Sequence, residues 1–223
     1  MSIPFTVVLV DLDGTIMDSA FGITRTLSMA LEELGYPVPS PSRLVEFVGP
    51  PILDGLRDVV GLEDDAAVTV LDRYRELYRA NGAFEAEPYA GVREALVELR
   101  RSAPLAVATS KPESVATSIL EHFGFAPLFT VLAGASDDET RSAKADVITR
   151  ALELLTAAGV DTARPVMIGD RFHDVEGAAA HGIPTIVAGW GYGAPEEAAG
   201  AIAVAASPAD LPALVAAGSL HRP

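Results

Sequence analysis

The sequence predicts a doubly wound parallel α/β sheet, a Rossmann-like core, interrupted once by an inserted α-helical domain. Three observations carry that expectation. Short apolar, β-branched runs recur along the chain, helical periods fill the gaps between them from about residue 88 onward, and residues 17–87 offer helical periods but no convincing strand.

The first run, Phe5 to Val10, ends at Asp11 and is followed by the turn-forming Asp13-Gly14-Thr15. Similar runs stand at residues 105–108, 130–133, 165–168 and 185–188, each reading as a strand buried on both faces. Between them Val92, Leu96 and Leu99, then Val115, Ile119 and Phe123, then Val147, Ile148, Ala151, Leu152 and Leu155 repeat with helical period. The insertion carries amphipathic segments at 23–34, 52–60 and 68–78, divided by Pro37, Pro39, Pro41 and Gly49-Pro50-Pro51. Pro88-Tyr89-Ala90-Gly91 marks the return. The expected domains are therefore 1–16 with 88–223, and 17–87.

Composition removes several function classes. The 223 residues hold 16 Lys+Arg against 31 Asp+Glu, a formal charge of −15, and the basic residues form no stripe, so a nucleic-acid partner is not expected. A small anionic ligand is still compatible, because a metal ion and a few local cations can reverse the field inside one pocket. The absence of cysteine excludes disulfides, thiolate catalysis and structural Cys zinc sites. His122, His173, His181 and His221 have no ligand spacing. The start, Met1-Ser2-Ile3-Pro4-Phe5, lacks a basic leader and no apolar stretch has membrane-spanning length, giving a cytoplasmic expectation with no membrane partner. The oligomeric expectation is monomer or homodimer.

In a doubly wound sheet, ligands bind at the carboxyl ends of the strands. The polar residues at the ends of these runs are Asp11 and Asp13, then Thr109, Ser110 and Lys111, then Asp170 and Asp174 with Arg171 and His173 between them. Carboxylates gathered this closely repel one another, and a hard, oxygen-preferring cation such as Mg2+ relieves that repulsion while holding an anionic phosphate. Asp11 would then attack phosphorus to give an aspartyl-phosphate, and Asp13, two residues on, would protonate the leaving alcohol and later deprotonate water.

At these residues the sequence resembles the haloacid dehalogenase superfamily, in its phosphoglycolate phosphatase-like branch, over nearly the whole chain. The motifs that carry the resemblance are Asp11-Leu12-Asp13-Gly14-Thr15 with Asp18-Ser19 after it, Ala108-Thr109-Ser110-Lys111-Pro112, Lys144 within 141–145, and Gly169-Asp170 with Asp174. The resemblance implies that Asp11 is the nucleophile, Asp13 the general acid/base, Thr109 the hydroxyl that orients phosphoryl oxygens, and Lys144 the cation that offsets charge on nucleophile and phosphate. Asp170 would ligate Mg2+ together with Asp11 and the main-chain carbonyl of Asp13. Asp174 would support the metal directly or through water, or anchor Lys144. The insertion would be a mobile cap that excludes bulk water.

Gly14, Thr15, Ser110, Lys111, Arg57 and Arg171 are the expected contacts to phosphate or substrate. Asp174 also suits a cap on a helix starting near Val175. Trp190 and Tyr192, in Gly189-Trp190-Gly191-Tyr192-Gly193, are expected to pack a loop against the core, and Glu196-Glu197 to open a helix. Within the resembled superfamily, an aspartate at the position of Asp13 implies hydrolysis of a small phosphate ester such as phosphoglycolate, a sugar phosphate or a nucleoside monophosphate. The alternatives are a phosphosugar mutase of the same fold and a phospho-accepting signalling module. Ser110 stands where such phosphatases commonly carry Asn, and Ala145 where many carry Pro, which bears on substrate and leaves the reaction class unchanged.

Overall fold

Fully buried Val7–Val10 forms the first strand, β1, and with both faces covered it needs no polar alternation. The computed structural model describes residues 4–138 and 140–218; His221 and Met1 to Ile3 lie outside them. In chain order the elements after β1 are β2 (Met17–Asp18), α1 (Ala20–Glu33), α2 (Pro41–Leu44), α3 (Ile52–Asp58), α4 (Asp64–Ala80), β3 (Glu87–Pro88), α5 (Val92–Ser102), β4 (Leu105–Pro112), α6 (Glu113–His122), β5 (Val131–Ala135), α7 (Lys144–Ala157), β6 (Pro165–Gly169), α8 (Phe172–Ala179), β7 (Thr185–Ala188), β8 (Ala203–Ala205) and α9 (Leu211–Ala217).

The chain divides into two compact units, residues 1–17 with 88–223 and residues 18–87. In the first, six strands form one sheet in the order β5-β4-β1-β6-β7-β8, with parallel pairing throughout. From β1 the chain steps outward through β4 to β5, then crosses back to β6 on the other side of β1 and steps outward again. The order therefore reverses beside β1, and in sheets of this kind ligands bind at such a reversal, outside the carboxyl ends of the strands.

Alternate residues of β1, Val7 and Leu9, face a core that includes Ala106, Ala108, Ala133 and Met167 from neighbouring strands and Val147, Ile148, Ala151 and Leu155 from α7. That stripe seats α7 against β4 and β5, and its first residue, Lys144, is buried. The helix is held by its apolar face and delivers one cation at its start.

The second unit is helical. α1 buries Ile23, Leu27, Ala30 and Leu31, a stripe at i, i+4, i+7 and i+8. α4 packs on α1 and α3, burying Val70, Leu71 and Tyr74. α1, α3 and α4 differ from their expected limits by a few residues at one or both ends, while α2 and the two-residue strands β2 and β3, at the ends of a stretch expected to hold no strand, were not expected. Pro41 opens the short α2, where its fixed φ suits a first turn. β8 and α9 had no counterpart in the sequence reading, because the Ala-rich stretches that form them carry neither period clearly.

No helix among the described residues is long and apolar enough to cross a membrane. Leu9 sits in the central strand with no solvent exposure, so Leu9→Ala is expected to cost about 2–5 kcal/mol of unfolding free energy in a denaturant titration.

Candidate active site

The loop after β1 curls around one carbonyl. Asp11 N–H donates to Ile168 O at 2.9 Å, while Leu12 O accepts from Ile16 N and Met17 N, each at 2.9 Å. The turn passes through Gly14 at φ +77°, and a Cβ there would lie 2.1 Å from Asp170 Oδ2. Both the backbone sign and the close approach require glycine. The next residue, Thr15, has a buried hydroxyl without a hydrogen-bond partner.

The end of β4 breaks its pairing with β5 by a register shift between Ala108 and Pro112, which releases Thr109 to Lys111 from the ladder. Buried Thr109 accepts the Lys111 N–H on Oγ1 at 3.2 Å, and half-buried Ser110 lies between them. Lys111 Nζ donates to Asp13 Oδ2 at 2.7 Å. This pair is almost fully enclosed, with side-chain exposures of 6% and 8%. The sequence reading placed Lys111 on phosphate and did not foresee the pair.

Lys144 Nζ donates to Ala108 O at 3.1 Å and lies 2.9 Å from Asp11 Oδ1 and 2.7 Å from Asp174 Oδ1. At these distances charge attraction and hydrogen bonding together hold the bridge. Burial would lower the lysine's pKa, but the charges of Asp11 and Asp174 outweigh burial and hold the ammonium above its ordinary value. Burial raises Asp11 to about 6 against the pull of Lys144, with Asp174 and Asp13 adding repulsion.

Oxygens of Asp11, Asp170 and Asp174 lie within 4.8 Å of one another. Asp170 Oδ2 accepts the Tyr192 N–H at 2.8 Å, while its buried Oδ1 has no hydrogen-bond partner. Burial, and then repulsion from Asp174 and Asp11, push Asp170 well above the carboxylate range. Three crowded hard oxygens, one of them orphaned, fit a divalent cation. The carboxylate of Asp13 is not part of this group; it is the one that meets Lys111.

α8 starts at Phe172, three residues earlier than expected. Asp174 is therefore in its first turn, where Oδ2 accepts the Arg171 N–H at 3.1 Å. Arg171 Nε donates to Glu197 Oε2 at 2.9 Å, and the same oxygen accepts the Phe172 N–H at 3.1 Å. Glu197 Oε1 takes the Ala194 N–H at 3.1 Å, so this residue opens a 3-10 turn as expected and also clamps Arg171. Burial and the Arg171 charge lower the pKa of half-buried His173. Arg57 belongs to the helical unit, where its guanidinium meets Asp64 at 2.8 Å. Trp190 donates its indole N–H to Thr15 O at 3.2 Å.

The haloacid dehalogenase-like hydrolase family profile matches residues 8–188, which contain all of these groups except Trp190, Tyr192, Ala194 and Glu197. The chain belongs to that family. Among relatives of this haloacid dehalogenase-like hydrolase, the tyrosine-protein kinase PtkA of Mycobacterium tuberculosis is 46% identical over 83% of this chain, a match that takes in 62% of the relative's length. A 5'-nucleotidase of Pseudomonas aeruginosa is 38% identical over 85% of each chain. A plasmid-borne phosphoglycolate phosphatase of Cupriavidus necator is 32% identical over 96% of this chain and 95% of its own length, which supports the phosphoglycolate phosphatase-like branch. The crystal structure of a predicted phosphatase from Clostridium acetobutylicum superposes with a TM-score of 0.87 at 36% identity, covering 94% of this chain and 97% of that one.

The crowded acids make a stability prediction. A carboxyl whose folded pKa lies near 6, against an ordinary 3.8, stabilises the fold below about pH 4 and loses that contribution as pH rises through 6. Asp170 is shifted in the same direction. In chelator-treated protein at pH 7, Asp170→Asn is therefore expected to raise the unfolding temperature by about 2–5 °C, a gain that shrinks toward pH 4. Thermal unfolding at both pH values checks this, and an equal or lower melting temperature at pH 7 contradicts it.

Proposed function

We propose that this chain is a Mg2+-dependent phosphatase that hydrolyses a small phosphate monoester through an aspartyl-phosphate on Asp11. The observation that carries the reading is the buried bridge from Lys144 to Asp11 and Asp174, set beside Asp170 and two residues from a second enclosed acid, Asp13.

An Asp11 oxygen attacks phosphorus, the bond from phosphorus to the ester oxygen breaks, and the leaving oxygen takes the proton of the Asp13 carboxyl. Asp13 then removes a proton from water, the resulting hydroxide attacks phosphorus, and the bond to Asp11 breaks, releasing inorganic phosphate and restoring the Asp11 carboxylate and the protonated carboxyl of Asp13. Asp11, Asp170 and the Asp13 carbonyl, supported by Asp174, would hold Mg2+, whose chemistry when bound is to neutralise charge on the phosphoryl oxygens. Lys144 keeps Asp11 close and offsets its charge. Thr109 and Ser110, together with Gly14 and Thr15, orient the phosphoryl group. Lys111 acts through Asp13, whose carboxylate it holds at 2.7 Å. Arg171 and Arg57 are engaged by Glu197 and Asp64 and take no step in this scheme. The helical unit takes the part of the cap.

The substrate class is phosphoglycolate-like or nucleotide-like. The 46% identity to a protein named as a tyrosine kinase favours one second reading, in which a tyrosine hydroxyl replaces water as the acceptor from phosphorylated Asp11 and Asp13 takes the phenolic proton.

Phosphate release from a panel of esters, beside transfer from ATP to a tyrosine-containing polymer, separates the two readings. Release from a small ester in Mg2+, abolished by Asp11→Asn, is expected. Absence of release from every ester, or an unimpaired Asp11→Asn, would overturn the phosphatase reading. Asp13→Asn is expected to lower kcat/KM, which reports the step that releases the alcohol, by about 10²–10⁴-fold for alkyl phosphates and by less for p-nitrophenyl phosphate, whose leaving group departs without protonation. Equal losses on both substrates would contradict the acid role.

A further inference from the structure

The turn Gly189 to Gly193 carries no side chain with obvious chemistry in the reaction, yet it touches two of the strand-end loops that build the site. It is anchored at its base, where Gly189 N–H donates to Ala205 O at 2.9 Å and Gly191 N–H to Ala188 O at 3.2 Å. From there Trp190 Nε1 reaches Thr15 O at 3.2 Å in the nucleophile loop. Tyr192 N–H reaches Asp170 Oδ2 at 2.8 Å.

The glycine between them admits no side chain. A Cβ at Gly191 would lie 2.3 Å from Asp170 Cβ and 2.5 Å from both Asp170 Oδ2 and Gly14 O. The backbone of the turn is thus pressed against Asp170 and against the loop that carries Asp11. Trp190 is also half-buried, with its ring edge-on to Tyr89 at 6.4 Å between centroids.

We propose that this turn is a positioning element for the cation site, and that Trp190 and Gly191 are its positioning residues. A carboxylate free to rotate can offer a cation either oxygen or both. Here the Tyr192 N–H occupies Oδ2, which leaves the buried, unpaired Oδ1 of Asp170 as the oxygen offered to the ion. The indole bond fixes the Asp11 loop from the same turn, so one segment sets the spacing between two ligand-bearing loops. Outer partners of this kind typically change metal affinity by about 10–100-fold when altered. The inference rests on the divalent-ion site of the proposed function.

Calorimetric titration of Mg2+ into wild type, Gly191→Ala and Trp190→Phe tests it, with circular dichroism and melting of the chelated proteins as a check on folding. Gly191→Ala should weaken Mg2+ by about 10–100-fold, because the new methyl group displaces the Asp170 carboxylate. Trp190→Phe, which keeps an aromatic ring against Tyr89 but loses the N–H, should weaken it by a smaller factor. In both, raising Mg2+ should restore kcat, a rescue that a purely structural defect would not show. Should Gly191→Ala not fold, Trp190→Phe decides alone.

Wild-type Mg2+ affinity in the folded variants, or lost turnover that excess Mg2+ does not restore, overturns the proposal. No Mg2+ binding by wild type overturns this inference together with the metal part of the proposed function. Binding by wild type with unchanged variants overturns the inference alone.

Discussion

One buried ammonium group makes the rest of the site possible. Lys144 Nζ stands between Asp11 and Asp174 at 2.9 and 2.7 Å, with exposures of 4% or less on all three side chains. Two carboxylates taken out of water beside a third, Asp170, would repel one another and favour protonation. A cation among them keeps Asp11 available as an anion, and its placement follows from the fold. Lys144 opens α7, and the apolar stripe of that helix is locked against β4 and β5.

The glycines near the site have a similar cause. Gly14 leaves room for the Asp170 carboxylate, and Gly169 leaves room for that of Asp174, where a Cβ would lie 2.1 Å from Cγ. The acids approach one another because the backbone around them has no side chains to keep them apart. Such packing raises the free energy of the ion-free state, as the upward pKa displacements of Asp11 and Asp170 indicate. A site held this way gains most when a divalent ion enters it.

Much of this was legible in the sequence, because buried parallel strands end abruptly in polar residues. Asp11, Thr109 and Asp170 each follow an apolar run, and the strand order places β4 and β6 on either side of β1. Other parts had no local signature. The pairing of Lys111 with Asp13 joins residues far apart in the chain, and charge alone does not choose between a phosphate and a carboxylate partner. The start of α8 at Phe172 was hidden because Asp174 suits an N-cap as well as a first-turn position. The support of Asp170 by Tyr192 comes from a main-chain N–H, which no side-chain pattern announces. The alternating glycines at 189, 191 and 193 were the available signal, since repeated glycine after a strand marks close backbone approach.

The most direct test of the central bridge is the unfolding free energy of ion-free protein carrying Lys144→Met, measured at pH 7 and again near pH 5. A loss of about 3–5 kcal/mol at neutral pH, substantially recovered at pH 5 as the uncompensated acids take up protons, is the result expected of a buried cation that holds carboxylates together. A small loss that is the same at both pH values would contradict it.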